Sequence, residues 1–308
     1  MTRIRVGAAV LNQTPLDWSG NQKNILAAIE AARAADVKVL CLPELCISGY
    51  GCEDAFHAPG LQRMALAALQ EIVPATGGMA VSVGLPLLFK NALFSVACLA
   101  VDGRIAGFVA KRFLAGEGLH YEPRWFKPWP GGLRDTITLE GQAYPIGDVV
   151  FDVGGVTIGF EICEDAWVAK RPGGSLALKG ADVILNPSAS HFAFGKFGVR
   201  KRFVIEGSRA FSVTYVYSNL LGNEAGRVIY DGGALIASAG TLLAAGPRFS
   251  FRPVRLTTAV IDVAATRMAH ARTGSFQPEL ADDDEAPVSC ALEYPDIGCG
   301  HHLTASAL

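Results

Sequence analysis

Net charge is scarce in this chain: 27 Lys and Arg stand against 29 Asp and Glu, a formal charge of −2. That balance excludes the strongly basic surface with which proteins neutralise nucleic-acid phosphates. The densest basic stretch, residues 196–202, is mixed with Phe197, Gly198 and Val199 and reads as the polar face of a helix start. Long apolar runs are missing too, since none approaches the roughly 18 uninterrupted residues of a membrane span. The opening MTRIRVGAAVLNQ is basic and then briefly apolar, but Asn12, Gln13 and Asp17 break it without a small-residue cleavage pattern. A first strand is therefore expected there, not a signal peptide, and with it a cytoplasmic location. Metal-type cysteine spacing is also lacking. The seven cysteines (Cys41, Cys46, Cys52, Cys98, Cys163, Cys290 and Cys299) are odd in number and form no CxxC pair. In a chain too large to need disulfide staples, most should be small buried hydrophobes, and neither metal nor cofactor is expected.

What is present is apolar material: half of the 308 residues are hydrophobic and 18% are charged, enough for a large core. Strand patterns over 4–11, 37–45 and 79–88 alternate with helical ones over 21–35 and 60–73. Asp102-Gly103, Gly154-Gly155 and Ala239-Gly240 each separate two strand-like runs and predict hairpins. Strands arriving both in βα units and in hairpins point to α/β architecture with mixed sheets covered by helices, not to a pure parallel sheet. Residues 119–147 carry Pro123, Pro128, Pro130 and two adjacent glycines and read as one long, functional loop. Residues 1–279 are expected to form the domain, and 280–308 a tail, partly disordered or docked on a partner.

Three strand ends carry reactive groups. In VTIGFEICEDAW an apolar run ends at Cys163, where a side chain is held rigidly yet can meet a substrate. A thiol there needs a base to take its proton and a cation to hold charge; on this segment alone a structural cysteine serves equally well. Glu44 follows the buried run of VKVLCLPELCISGY, either as a base with a raised pKa or as a turn cap. Lys111 ends the run before the long loop, where a solvated surface charge is the plain alternative.

Taken together and in order, ELCISGY, AKRFLAGEGLHYEPRWFKPW and GFEICEDAW resemble the signature segments of the nitrilase superfamily. NPSASHFAFGKFGVRKR and YSNLLGNEAGRVIYDGGALI extend the likeness over roughly 3–263, and within the superfamily the pattern is similar to the glutaminase domain of glutamine-dependent NAD synthetases. The resemblance implies a four-layer αββα sandwich, often a homodimer or higher homo-oligomer. It implies Cys163 as nucleophile, Glu44 as general base, Lys111 as the oxyanion cation and Glu117 as a second glutamate near the site. Tyr121, Glu164, Trp167, Ser190 and Lys196 fall where such enzymes contact or enclose glutamine, and Arg200 is expected to be structural, with an acidic partner. Ala110, Gly116 and Ala189 replace a proline, an asparagine and a glycine of the family pattern. No SGGxDS-type ATP loop is present, although such relatives continue into an ATP-dependent synthetase domain. The expectation is a glutaminase releasing ammonia for a separate synthetase subunit. A stand-alone amidase or carbamoylase is the alternative, and a non-catalytic scaffold the third reading.

Overall fold

The computed structural model describes residues 3–224, 227–280 and 286–297. Strand β1 (Arg3–Asn12) shows how the core is divided. Ile4, Val6, Ala8 and Val10 face one apolar cluster, while Ala9 and Leu11 face another, as the two-residue period of a strand requires. Helix α1 (Trp18–Ala34) starts where the Asp17 carboxylate accepts the Gly20 N–H at 3.0 Å, and it buries Ile25, Ala28, Ile29 and Ala32. After β2 (Val39–Cys41) come α2 (Pro59–Ile72), β3 (Ala80–Phe89), β4 (Ala92–Val101) and β5 (Arg104–Ala110). The β4–β5 hairpin forms on Asp102-Gly103 as expected, with φ of 48° and 76°, the pair of left-handed residues that a tight hairpin turn needs. β2 is shorter than its apolar run because the chain turns out of the sheet soon after Cys41.

Residues 119–147 are not one long loop. They contain a short helix, α3 (Glu122–Trp125), and a hairpin of β6 (Arg134–Leu139) and β7 (Gln142–Gly147) added at the edge beside β5. Prolines and glycines hid this pair, which buries little beyond Ile137 and Ile146.

The second sheet runs through β8 (Phe151–Val153), β9 (Val156–Phe160) and, after α4 (Pro172–Leu178), β10 (Val183–Ser188). Helix α5 (Lys196–Ala210) leads to β11 (Thr214–Glu224), which joins the sheets: its first half pairs with β10, and Leu220 and Leu221 pair with β1. Strands β12 (Val228–Asp231), β13 (Leu235–Ser238), β14 (Thr241–Ala245) and β15 (Val254–Asp262) follow, with β13–β14 as the hairpin expected at Ala239-Gly240. β15 lies antiparallel along β1. Val6, Val39 and Leu99 of the first sheet share one core with Ile158, Leu185 and Val216 of the second. The outer faces are covered by α1 and α2 on one side and by α4 and α5 on the other, giving mixed sheets between helices.

Helix α6 (Val263–Arg272) and strand β16 (Val288–Cys290) close the described chain. β16 pairs in parallel with β8, and the Tyr294 hydroxyl donates to the Val153 carbonyl at 2.8 Å, so this part of the expected tail docks on its own domain. The rest of that expectation, 281–285 and 298–308, lies outside the described residues. Among the described residues no helix is long and apolar enough to cross a membrane.

Candidate active site

Glu44, Lys111 and Cys163 each sit just beyond a strand, and local backbone features aim them at one another. After β2 the chain crosses β3 at Gly84, where any Cβ would lie 2.4 Å from the Leu45 nitrogen and 2.8 Å from the Pro43 carbonyl oxygen. Only glycine allows that crossing, which turns Glu44 inward to a buried position. Lys111 is pinned at the end of β5 by its N–H to the Ser95 carbonyl, 3.0 Å, and by the Trp129 N–H to its own carbonyl, 2.9 Å. Cys163 opens a one-turn helix, Cys163–Ala166, at φ 47°, a conformation unfavourable for a side-chain-bearing residue and typical of functional positions. Asp165 holds this turn in place. Its buried carboxylate accepts the N–H groups of Ile162, Arg112 and Phe113 at 2.9, 3.1 and 2.8 Å, tying the Cys163 turn to the segment that follows Lys111.

The Lys111 ammonium donates to Glu44 Oε1 at 2.7 Å and to Glu122 Oε1 at 2.8 Å, and all three groups are buried. Ser95 Oγ donates to Glu44 Oε1 at 3.2 Å, whereas Glu44 Oε2 makes no hydrogen bond of ordinary geometry. Burial raises the Glu44 carboxyl to about 7, opposed by Lys111 and by the Cys163 S–H and reinforced by Glu122. Burial also works against the Lys111 ammonium, but the charges of Glu122 and Glu44 outweigh it and hold the pKa well above its usual value. The Cys163 thiol is pushed far up by burial and then by Glu44, with Lys111 opposing. The resting site therefore holds a neutral thiol beside a carboxyl that titrates near neutrality and a permanent cation.

Not every expected residue joins this centre. Glu117 is exposed on the loop before α3, and the second carboxylate on Lys111 is Glu122, which also accepts the Ala115 N–H at 2.9 Å and the Tyr50 hydroxyl at 2.6 Å. The reason is local: Gly116 and Gly118 flank Glu117 and give it nothing to pack under, while Glu122 lies among Tyr121, Trp125 and Phe126. Tyr121 is 56% exposed, with the Arg227 guanidinium 5.3 Å from its ring. Glu164, which follows Cys163 in the chain, and Trp167 are half-buried, and Lys196 Nζ lies 5.4 Å from the Trp167 ring centre. Ser190 is buried, its hydroxyl accepting from Arg200 Nε at 3.2 Å. Arg200 is fully buried and donates to Asp231 at 2.6 Å and to the carbonyls of Ser190 and His191 at 2.8 and 2.6 Å, the first being the acidic partner expected for it. Sequence reasoning missed Glu122 and Asp165 as well as Tyr50, His120 and His191, whose ring and hydroxyl groups line up behind Glu122. Among the described residues no group of three or more His, Cys, Asp or Glu is placed to hold a metal ion.

Known proteins share this arrangement of the chain. A family model for carbon-nitrogen hydrolases matches residues 5–271. The glutamine-dependent NAD(+) synthetase of Saccharomyces cerevisiae is 32% identical, over 94% of this chain and 43% of that protein. That of Mus musculus is 31% identical, over 89% and 39%. Among solved structures, a glutamine-dependent NAD(+) synthetase from Cytophaga hutchinsonii superposes with a TM-score of 0.80 and 49% identity, covering 84% of this chain and 43% of that one. A mutant amidase of the nitrilase superfamily from Nesterenkonia, at 20% identity and TM-score 0.66, covers 86% and 93% and is alike in fold alone. The chain thus spans less than half the length of the synthetases it matches.

Proposed function

The chain belongs to the carbon-nitrogen hydrolase family, and from that premise we propose that it is a cysteine-dependent glutaminase with Cys163, Glu44 and Lys111 as its catalytic groups. The observation that carries the reading is the Lys111 ammonium fixed between Glu44 and Glu122, with the second oxygen of Glu44 left unbonded. Because the thiol is neutral at rest, its proton passes to Glu44 as sulfur attacks the amide carbon. The carbonyl oxygen becomes an oxyanion, held by Lys111 and a backbone N–H of the Cys163 turn, a donor of the kind that lowers the barrier by about 3–4 kcal/mol. Glu44 returns the proton to the amide nitrogen, the C–N bond breaks, and ammonia leaves a thioester on Cys163. Water, deprotonated by Glu44, then attacks the thioester; the C–S bond breaks and the thiol is restored as the acid departs.

Glutamine is favoured over a simple amide by the rim. Glu164 and Lys196, one acid and one base, are both half-buried near the nucleophile, the pair of charges that an amino acid's ammonium and carboxylate require. The relatives named for glutamine-dependent NAD(+) synthesis, of which this chain spans less than half the length, support an ATP-dependent synthetase as consumer of the ammonia. The family match, which fixes no substrate, leaves a second reading, an independent amidase or carbamoylase for another small amide. Ammonia release from glutamine, asparagine, carbamoyl amino acids and short amides separates the two. Glutamine turned over fastest, with loss in Cys163→Ala, is the expected result; preference for an uncharged short amide contradicts it.

A further inference from the structure

Behind Glu122 runs a line of side chains that the hydrolytic steps above do not use. Tyr50 Oη donates to Glu122 Oε1 at 2.6 Å and lies 3.0 Å from His120 Nδ1. His120 Nε2 is 2.8 Å from His191 Nδ1, and Lys196 Nζ lies 3.2 and 3.4 Å from Nδ1 and Nε2 of His191. Hydrogen counting fixes the direction of the whole line. A phenol has one hydrogen and an ionised carboxylate only accepts, so Tyr50 gives its hydrogen to Glu122 and must accept from His120 Nδ1–H. A neutral imidazole has one donor and one acceptor, so His120 Nε2 accepts from His191 Nδ1–H. The Lys196 ammonium, almost equidistant from the two ring nitrogens of His191, lies along neither lone pair and acts on the ring as a charge.

We propose that His191, His120 and Tyr50 form a one-way hydrogen-bond relay that holds Glu122 against Lys111, with His120 and His191 as positioning residues for hydrolysis. Glu122 is fully engaged in this arrangement: Oε1 receives Lys111 and Tyr50, and Oε2 receives the Ala115 N–H. Reversing the line would turn a Tyr50 lone pair toward Glu122 and leave the carboxylate one donor short. Charging His120 would set its Nε2–H against the Nδ1–H of His191. The surroundings prevent both. His120 faces Tyr50, His191, Lys196 and Lys111; burial first, then these neighbouring imidazole and ammonium groups, push it down to about 3. His191 faces His120, Lys196, Arg200 and Asp231; burial and the two cations bring it to about 4, with Asp231 alone opposing.

The tautomers are the direct test. The side-chain ¹⁵N shifts of labelled histidine in the full wild-type chain, assigned with His120→Phe and His191→Asn, should show both rings neutral and protonated at Nδ1 from about pH 5 to 8. An Nε2–H tautomer at either ring, or titration near the ordinary value of about 6.5, overturns the proposal. The kinetic consequence rests on the catalytic role of Lys111 proposed above. Tyr50→Phe and His120→Phe should each lower kcat about tenfold with KM within about twofold, and the double variant should lose no more than the worse single one. Losses that multiply, or that fall on KM alone, contradict the relay. If no amide is hydrolysed, the catalytic reading fails while the tautomer measurement still decides the relay.

Discussion

Lys111 and Lys196 are both ammonium groups within electrostatic reach of Cys163, yet the protein treats them differently. Lys111 is wholly buried, gripped by Glu44 and Glu122, and held charged by them against the cost of burial. Lys196 is half-buried over Trp167 and beside His191; burial lowers its pKa, and no carboxylate ion-pairs with it among the described residues. On the inner wall the counter-charges are built in before any ligand arrives. At the rim the counter-charge is left for a ligand to bring. Preorganised charge of the first kind acts on the transition state, whereas the second kind acts on binding.

Lys111→Met should do the greater damage. Loss of an oxyanion donor predicts a fall in kcat on the order of 10²–10³-fold. Leaving Glu44 and Glu122 buried without their cation should also cost about 3–5 kcal/mol in denaturant unfolding. A variant with intact kcat and a raised KM would erase the contrast between the two lysines. Next in size is the pH response. The base form of Glu44 is the ionised one and burial raises its pKa, so kcat/KM should climb about tenfold per pH unit below a bend near 7 and level off above it. A bend near the ordinary 4.5 would mean that the carboxyl is solvated in the working enzyme. Lys196→Met should raise KM for glutamine by about tenfold and leave kcat within about threefold, the signature of lost uniform binding. The smallest effect belongs to Glu117→Gln, expected to change kcat and KM by less than about twofold because the side chain is exposed and Glu122 fills the inner position.

The last of these bears on what a sequence discloses. Glu44, Lys111 and Cys163 were legible because each ends an apolar run, and a strand end is where a rigid scaffold delivers a side chain to a cleft. Choosing between Glu117 and Glu122 required knowing which would be buried. Flanking residues carried that signal, glycines on one side and aromatics on the other, and it outweighs position in a motif. Asp165 gave less warning, since the two N–H groups it binds beyond its own turn lie 53 and 52 residues away and belong to the backbone. The His120–His191 contact spans 71 residues and rests on the packing of two loops, which no local pattern encodes. In the fold, the Asp102-Gly103 turn announced itself, but the β6–β7 hairpin did not. An edge pair that buries little apolar surface leaves only a weak alternation to read.

The proposed chemistry meets its most direct test in the covalent intermediate. Wild-type protein mixed with glutamine, quenched in acid within the first turnovers and analysed by intact mass and peptide mapping, should carry an acyl group on Cys163, and Cys163→Ala should carry none and release no ammonia above background. Ammonia release that continues undiminished in Cys163→Ala, or an acyl group found on another residue, would contradict the convergence of thiol, carboxylate and ammonium as the catalytic centre.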